Sequence, residues 1–295
     1  RILMNLGNKK IILLFILAAF SVGGCGDFSG NQEEIESYAS STSSESNTTS
    51  TDDSTDNTTE SGTFLVVGAL GTILTSSDGS TWTSRTSGTT NQLNGATYGN
   101  STFVAVGASG TILTSSDGST WTSRTSGTST TLYSITYGNS NFVIAGSSGK
   151  VLKSSDAISW TLVSVNTYSF RTVSYGNSIF VTTGDEQCCY RNIFTSSDAS
   201  NWSQVTFSSS GAFRGSTFGN DIFVLFGNKT DGSGPVMITS GDGSTWTTRN
   251  SGTSNQLYGA TYGNSTLLAV GESGTIVTSS DGTTWTLRTS GSGNT

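Results

Sequence analysis

The chain has 295 residues, a formal net charge of -7, 33% hydrophobic and 11% charged residues, 37 glycines, one proline, three cysteines and no histidine. Ordinary globular domains carry roughly 45 to 50% apolar and about 25% charged residues, so Ser, Thr, Gly and Asn fill a large gap here, and an all-β chain with disordered stretches is expected in place of long surface helices. The lack of histidine excludes Ser-His-Asp and Cys-His nucleophiles and every His-ligated metal site, and the acidic balance argues against a nucleic-acid partner.

In chain order, Met4 reads as the initiator, preceded by upstream read-through that begins at Arg1. Lys9 and Lys10 then form a basic region before ten apolar residues, Ile11 to Phe20. That run is about half the roughly 20 residues of a membrane-spanning helix, but it suits the core of a secretory signal. The following Ser21-Val22-Gly23-Gly24-Cys25 resembles the lipobox of bacterial lipoproteins. The resemblance implies that 1–25 is a lipoprotein signal peptide and that Cys25 is acylated as the mature N-terminus. With Gly26 in place of a retention Asp, an outer-membrane or cell-surface destination is expected. Residues 26–62 are acidic and Ser/Thr/Asn-rich, with nine carboxylates and no Lys or Arg. Such a stretch cannot bury enough apolar surface to order itself, and is expected to be a disordered tether spanning roughly 30 to 35 Å.

From Thr63 onward the sequence repeats. Trp82, Trp121, Trp160, Trp202, Trp246 and Trp285 are spaced by 39, 39, 42, 44 and 39 residues. The cleanest unit, Leu93 to Gly127, divides at Gly99-Asn100, Ser109-Gly110 and Asp117-Gly118 into the strand-length pieces Leu93 to Tyr98, Thr102 to Val106, Thr111 to Ser115 and Thr120 to Arg124. Four short strands in about 40 residues, repeated, indicate an all-β fold of β-propeller blades over 63–295. Continuous apolar runs such as Phe103-Val104-Ala105-Val106 suit strands covered on both faces by neighbouring blades. The first unit opens on its second strand and the chain stops where another first strand would start, so an incomplete reading frame and a ring of six or seven blades are both considered.

Within each unit, Ser-x-Asp-Gly-x-x-Trp-Thr, as in Ser76 to Thr83 and Ser115 to Thr122, resembles the Asp-box or BNR repeat of sialidases and other secreted propellers, with one residue fewer between Asp and Trp. The resemblance implies turn-forming carboxylates at Asp78, Asp117, Asp156, Asp198, Asp242 and Asp281, and tryptophans packed between blades. It carries little about activity. No metal site or cofactor is expected, and recurring Arg85, Arg124, Arg249 and Arg288 read as structural.

Departures from the repeat mark a candidate site. The fourth unit inserts Gly184 to Asn192 and the fifth Gly227 to Pro235, on loops that share one face of a propeller. The same units carry Arg171 and Arg214 in the innermost strand, where others have Asn94, Tyr133 and Tyr258. The expected ligand patch is therefore Arg171, Arg214, Asp185, Glu186, Arg191, Lys229 and Asp231, with Glu272 nearby. Adjacent Cys188 and Cys189 could form a vicinal disulfide, pair with another chain or stay reduced.

These features favour an envelope-tethered, monomeric, non-catalytic propeller that binds a glycan, polymer or protein. A sialidase-type glycosidase is the alternative, although the Phe-Arg-Ile-Pro signature is absent and carboxylates outside the repeat turns are few. An assembly factor similar to the propellers that help build photosystem II is a further alternative. The charge divides as +3 before the tether, -9 within it and -1 over the ten basic and eleven acidic residues after it, so the acidity belongs to the spacer.

Overall fold

The computed structural model describes residues 40–41, 62–185, 193–207, 212–229 and 234–290. Six antiparallel sheets follow one another along the chain. Blade one has three strands, Phe64–Val67, Ile73–Ser76 and Thr83–Arg85. Blade two has four, Leu93–Gly99, Thr102–Gly107, Ile112–Ser115 and Thr122–Arg124. Blades three to six repeat that plan from inner strands Leu132–Gly138, Ser169–Gly176, Ala212–Gly219 and Leu257–Gly263. This is a six-bladed β-propeller. The expected signal peptide and most of residues 26–62 lie outside the described residues; within 26–62, Ser40–Ser41 pairs in parallel with Gly95 and Ala96 of blade two's inner strand.

The sequence explains each turn. Between the first two strands of blades two to six, both central residues take positive φ, as at Asn100 (42°) and Ser101 (56°), which gives the twist-matched hairpin turn. The break therefore falls one residue later than the expected Gly99-Asn100. The outer strand of blade two starts at Thr122, not Thr120, because the Thr120 N–H is taken by Asp117 Oδ1 at 2.8 Å.

Five apolar clusters sit between successive blades. One joins Val104, Val106 and Ile112 of blade two to Leu132, Phe142 and Leu152 of blade three, all almost wholly buried. Trp160 packs on this cluster, and Trp121, Trp202, Trp246 and Trp285 pack on the corresponding ones. Burial of this kind contributes about 2 to 3 kcal/mol for a large side chain, so the interblade layers carry the stability.

A second interlock lies on the inner strands. Each ends in an aromatic residue followed by glycine. A Cβ on Gly99, Gly138, Gly176 or Gly219 would overlap the ring of Tyr137, Tyr175, Phe218 or Tyr262, in each case from the following blade. The glycine is thus required by close approach, and the aromatic of one blade covers the backbone of the last.

Candidate functional site

The two faces of the ring differ in kind. On one, each Ser-x-Asp turn is closed by its own atoms. Asp117 Oδ1 accepts the N–H groups of Ser119 and Thr120 at 2.7 and 2.8 Å, and Ser115 Oγ donates to it at 2.9 Å while accepting the Gly118 N–H. The two N–H bonds and the serine hydroxyl bond to Oδ1 recur at Asp78, Asp156, Asp198, Asp242 and Asp281. Backbone N–H donors from Thr81 and Ser80 hold the Asp78 carboxyl down at about 2, and those of Thr120 and Ser119 hold Asp117 at about 2. The other four are lowered as well, Asp156, Asp198 and Asp242 chiefly by a backbone N–H and Asp281 chiefly by the Thr283 hydroxyl. The turns are also tied between blades: Asn139, Asn177 and Asn220 donate side-chain N–H bonds to the carbonyls of Ser197, Gly241 and Ser280 in the next blade's turn. From blade three to blade six this face is a linked belt, and the repeat carboxylates are committed to their own turns.

The opposite face carries the openings of the inner strands. All five of these strands contain a β-bulge at one register position. In blade two, Leu93 pairs with Gly107 and Gly95 with Val106, leaving Asn94 without an opposite residue. Tyr133, Arg171, Arg214 and Tyr258 occupy the same position in blades three to six. A bulge re-aims the extra side chain away from the ladder and is common where strands present functional groups. The two arginines singled out in the sequence therefore share a structural device with three other residues.

What each bulged side chain does is specific. Asn94 donates its side-chain N–H to Leu132 O at 2.8 Å and bridges blades two and three. The Arg171 guanidinium lies 4.2 Å from the ring centroid of Tyr133, a cation–π contact that fixes both residues at the blade three to four boundary. Arg171 is half-buried and Arg214, one blade on, is exposed. Tyr258 donates its hydroxyl hydrogen to Glu272 Oε1 at 2.7 Å, and Glu272 Oε2 accepts the Gln256 N–H at 3.3 Å. Asn228 at the end of blade five donates to Gln256 Oε1 at 2.7 Å. Glu272 is thus a brace within blade six, and Gln256 and Asn228, which the sequence did not single out, extend that brace to blade five.

Lys229 is exposed beside this brace, its N–H bonded to Gly234 O at 2.9 Å. The backbone of Asp185 pairs with Ser169 at the top of blade four. Glu186, Cys188, Cys189, Arg191 and Asp231 lie outside the described residues. Among the residues whose side chains are described, the acidic ones outside the Ser-x-Asp turns are Asp221 and Glu272. Asp221 sits in a hairpin turn on the belt face and Glu272 on the bulge face, so these two cannot flank one glycosidic bond. Arg85, Arg124, Arg249 and Arg288 each donate Nε–H to a threonine hydroxyl on the adjoining strand at 2.8 Å.

No protein-family model and no curated protein matches this sequence. In fold the chain is similar to YCF48 bound to a D1 peptide, with a TM-score of 0.60 at 18% identity over 76% of each chain. It is similar to YCF48 from Cyanidioschyzon merolae, with a TM-score of 0.55 at 15% identity over 76% of this chain and 80% of that one. The nidogen/laminin complex also matches, with a TM-score of 0.57 at 11% identity over 74% of this chain and 89% of that one. At these identities the likeness is one of fold.

Proposed function

We propose that this chain is an envelope-tethered, non-catalytic propeller whose bulge face holds a segment of a protein partner. The observation that carries the reading is the set of five bulged side chains on one face, with Arg171 and Arg214 on adjacent blades and Lys229 just after the second strand of blade five. A cationic, aromatic-flanked mouth suits a peptide bearing carboxylates or polar groups. That YCF48 of the same fold is found with a D1 peptide supports a protein segment over a glycan. The Ser-x-Asp turns support the Asp-box resemblance as an architectural one, since their carboxylates are consumed by their own loops. The lipobox-like Cys25 supports the tether.

An immobilised chain screened against peptide and glycan arrays tests the reading. Arg171→Ala with Arg214→Ala should weaken the captured peptide at least about tenfold, in the range of losing one or two charge-assisted contacts, with the unfolding midpoint little changed. Unaltered affinity would remove the patch, and release of sialic acid from a fluorogenic substrate would remove the non-catalytic assignment. For the tether, Cys25→Ser should move the protein from the membrane to the soluble fraction of a bacterial host; a variant that stays with the membrane refutes lipidation at that residue.

A further inference from the structure

Between the connection from blade one to blade two and the outer strand of blade two lies a cavity of about 470 Å³. Three pieces of chain enclose it: Gly88, Thr89 and Asn91 of the connection, the turn at 109–111, and residues 123–128 at the end of the blade. Local bonds hold these pieces together. Asn91 donates a side-chain N–H to Thr111 Oγ1 at 2.9 Å, and Thr111 donates its hydroxyl hydrogen to Ala108 O at 2.6 Å. A Cβ on Gly110 would overlap Thr128 O, so turn and loop are in contact. Gly88 and Gly127, both at φ 73°, have nothing within 4 Å of a Cβ position, so neither crowds the space beside it.

The chemistry of the lining is one-sided. Arg124, half-buried, is its one charged residue, and no carboxylate stands there to neutralise it. Its Nε–H is donated to Thr114 Oγ1 at 2.8 Å, and its terminal N–H groups have no partner among the described residues. That free end of the guanidinium is a fork that takes a carboxylate through two parallel bonds. Around it, the hydroxyls of Ser109, Ser123 and Thr125 and the Oδ1 of Asn91 are also uncommitted among the described residues. Leu113, 2% exposed, adds an apolar patch.

Other blades show that these features belong to blade two's own residues. Val163 and Val205 take the place of Arg124 in blades three and four. In blade three Lys150 stands where blade two has Thr111, and it donates from Nζ to Ser164 Oγ at 2.7 Å, across the corresponding ground. In blade six Arg288 is exposed where Arg124 is half-buried, and Leu287, 56% exposed, replaces Ser123.

We propose that this cavity binds a sugar acid, a carboxylate carried on a polyhydroxylated ring. The Arg124 fork takes the carboxylate, and Ser123, Thr125 and Asn91 exchange hydrogen bonds with ring hydroxyls. A bare oxyanion would engage the fork alone, and a neutral sugar would leave the guanidinium unmatched. The volume falls within the range of small-molecule sites. No bulged residue lines the cavity, so the site does not rest on the reading of the bulge face.

Titration of D-glucuronate onto the purified 295-residue chain, followed by amide NMR, tests this. The expected result is saturable one-to-one binding with a Kd of about 1 mM, with the Gly88 and Gly127 amides among the resonances that move. Glucose, acetate and inorganic phosphate should each bind at least about tenfold more weakly. Arg124→Val and Thr111→Lys should each weaken glucuronate at least about tenfold with the unfolding midpoint little changed, because Val163, Val205 and Lys150 already hold those places in blades three and four. The Arg171→Ala, Arg214→Ala chain should bind glucuronate as the unaltered chain does. Absence of saturable binding, a comparator that binds as tightly, full affinity in either cavity variant, or loss in the double-alanine chain would each overturn the proposal.

Discussion

Gly138→Ala is expected to destabilise the protein by about 2 to 3 kcal/mol, because the new Cβ would overlap the ring atoms of Tyr175 nearest its own backbone, which have little freedom to move aside. In a domain of this size that corresponds to a fall in unfolding midpoint of roughly 5 to 10 °C. Gly243→Ala provides the contrast. Gly243 sits at φ 70°, a conformation that strains an L side chain, yet its Cβ would meet Thr195, Val181 and Ile179 at ordinary distances of 3.4 to 3.7 Å. The repeat already places alanines at the same turn position, Ala157 at φ 59° and Ala199 at φ 57°. That strain costs about 1 kcal/mol and is partly offset by a less flexible unfolded chain. Urea unfolding of the two variants side by side is the measurement. Equal losses would show that glycine at the end of each inner strand serves conformation and not clearance, and the interlock would be discarded. Combining Gly138→Ala with Tyr175→Leu should recover part of the loss, since the two residues touch.

Acid is expected to weaken the fold within one narrow window. Six turn carboxylates are lowered from an ordinary value of 3.8, Asp78 and Asp117 to about 2. Between those values the unfolded chain binds more protons than the native one, so stability rises with pH there. The contribution is therefore complete above about pH 4 and is lost as pH falls through the lowered folded values, about 2 for Asp78 and Asp117. All six groups are lowered in the same direction, so their effects add as pH falls below the ordinary carboxylate range, where a single exposed carboxylate would matter little. Urea midpoints measured from pH 7 to pH 2 should be flat down to about 4.5 and then drop steeply. Replacing Asp78 and Asp117 together by Asn should lower the plateau and flatten the drop. A profile that declines steadily from pH 6 would assign acid sensitivity to groups other than these turns.

The architecture was legible because the repeat is written several times and its punctuation is chemical. Gly-Asn and Asp-Gly pairs state where the chain reverses, the first to within one residue, and Trp at a fixed distance from Asp states where blades meet. The aromatic–glycine interlock was equally repetitive, at Tyr98-Gly99, Tyr137-Gly138, Tyr175-Gly176, Phe218-Gly219 and Tyr262-Gly263, but its meaning requires two blades side by side. Sequence alone shows the glycine and not the ring that needs its space. The candidate site was legible only in part. Arg171 and Arg214 stood out as breaks in the pattern, whereas their common origin in a bulge depends on pairing register. Glu272 read as a free charge because its partner Tyr258 is fourteen positions away and meets it only when strand and turn fold together.

The bulge has a consequence for how this protein can change. At positions 94, 133, 171, 214 and 258 the extra residue has no opposite number in the ladder, so its identity is decoupled from strand pairing. The apolar residue before each bulge is fixed in the core, and in blade two the residue after it, Gly95, is fixed by its approach to the Tyr133 backbone. The ring therefore offers five addressable positions on one repeated frame, and randomising them would yield a library of recognition surfaces on one scaffold.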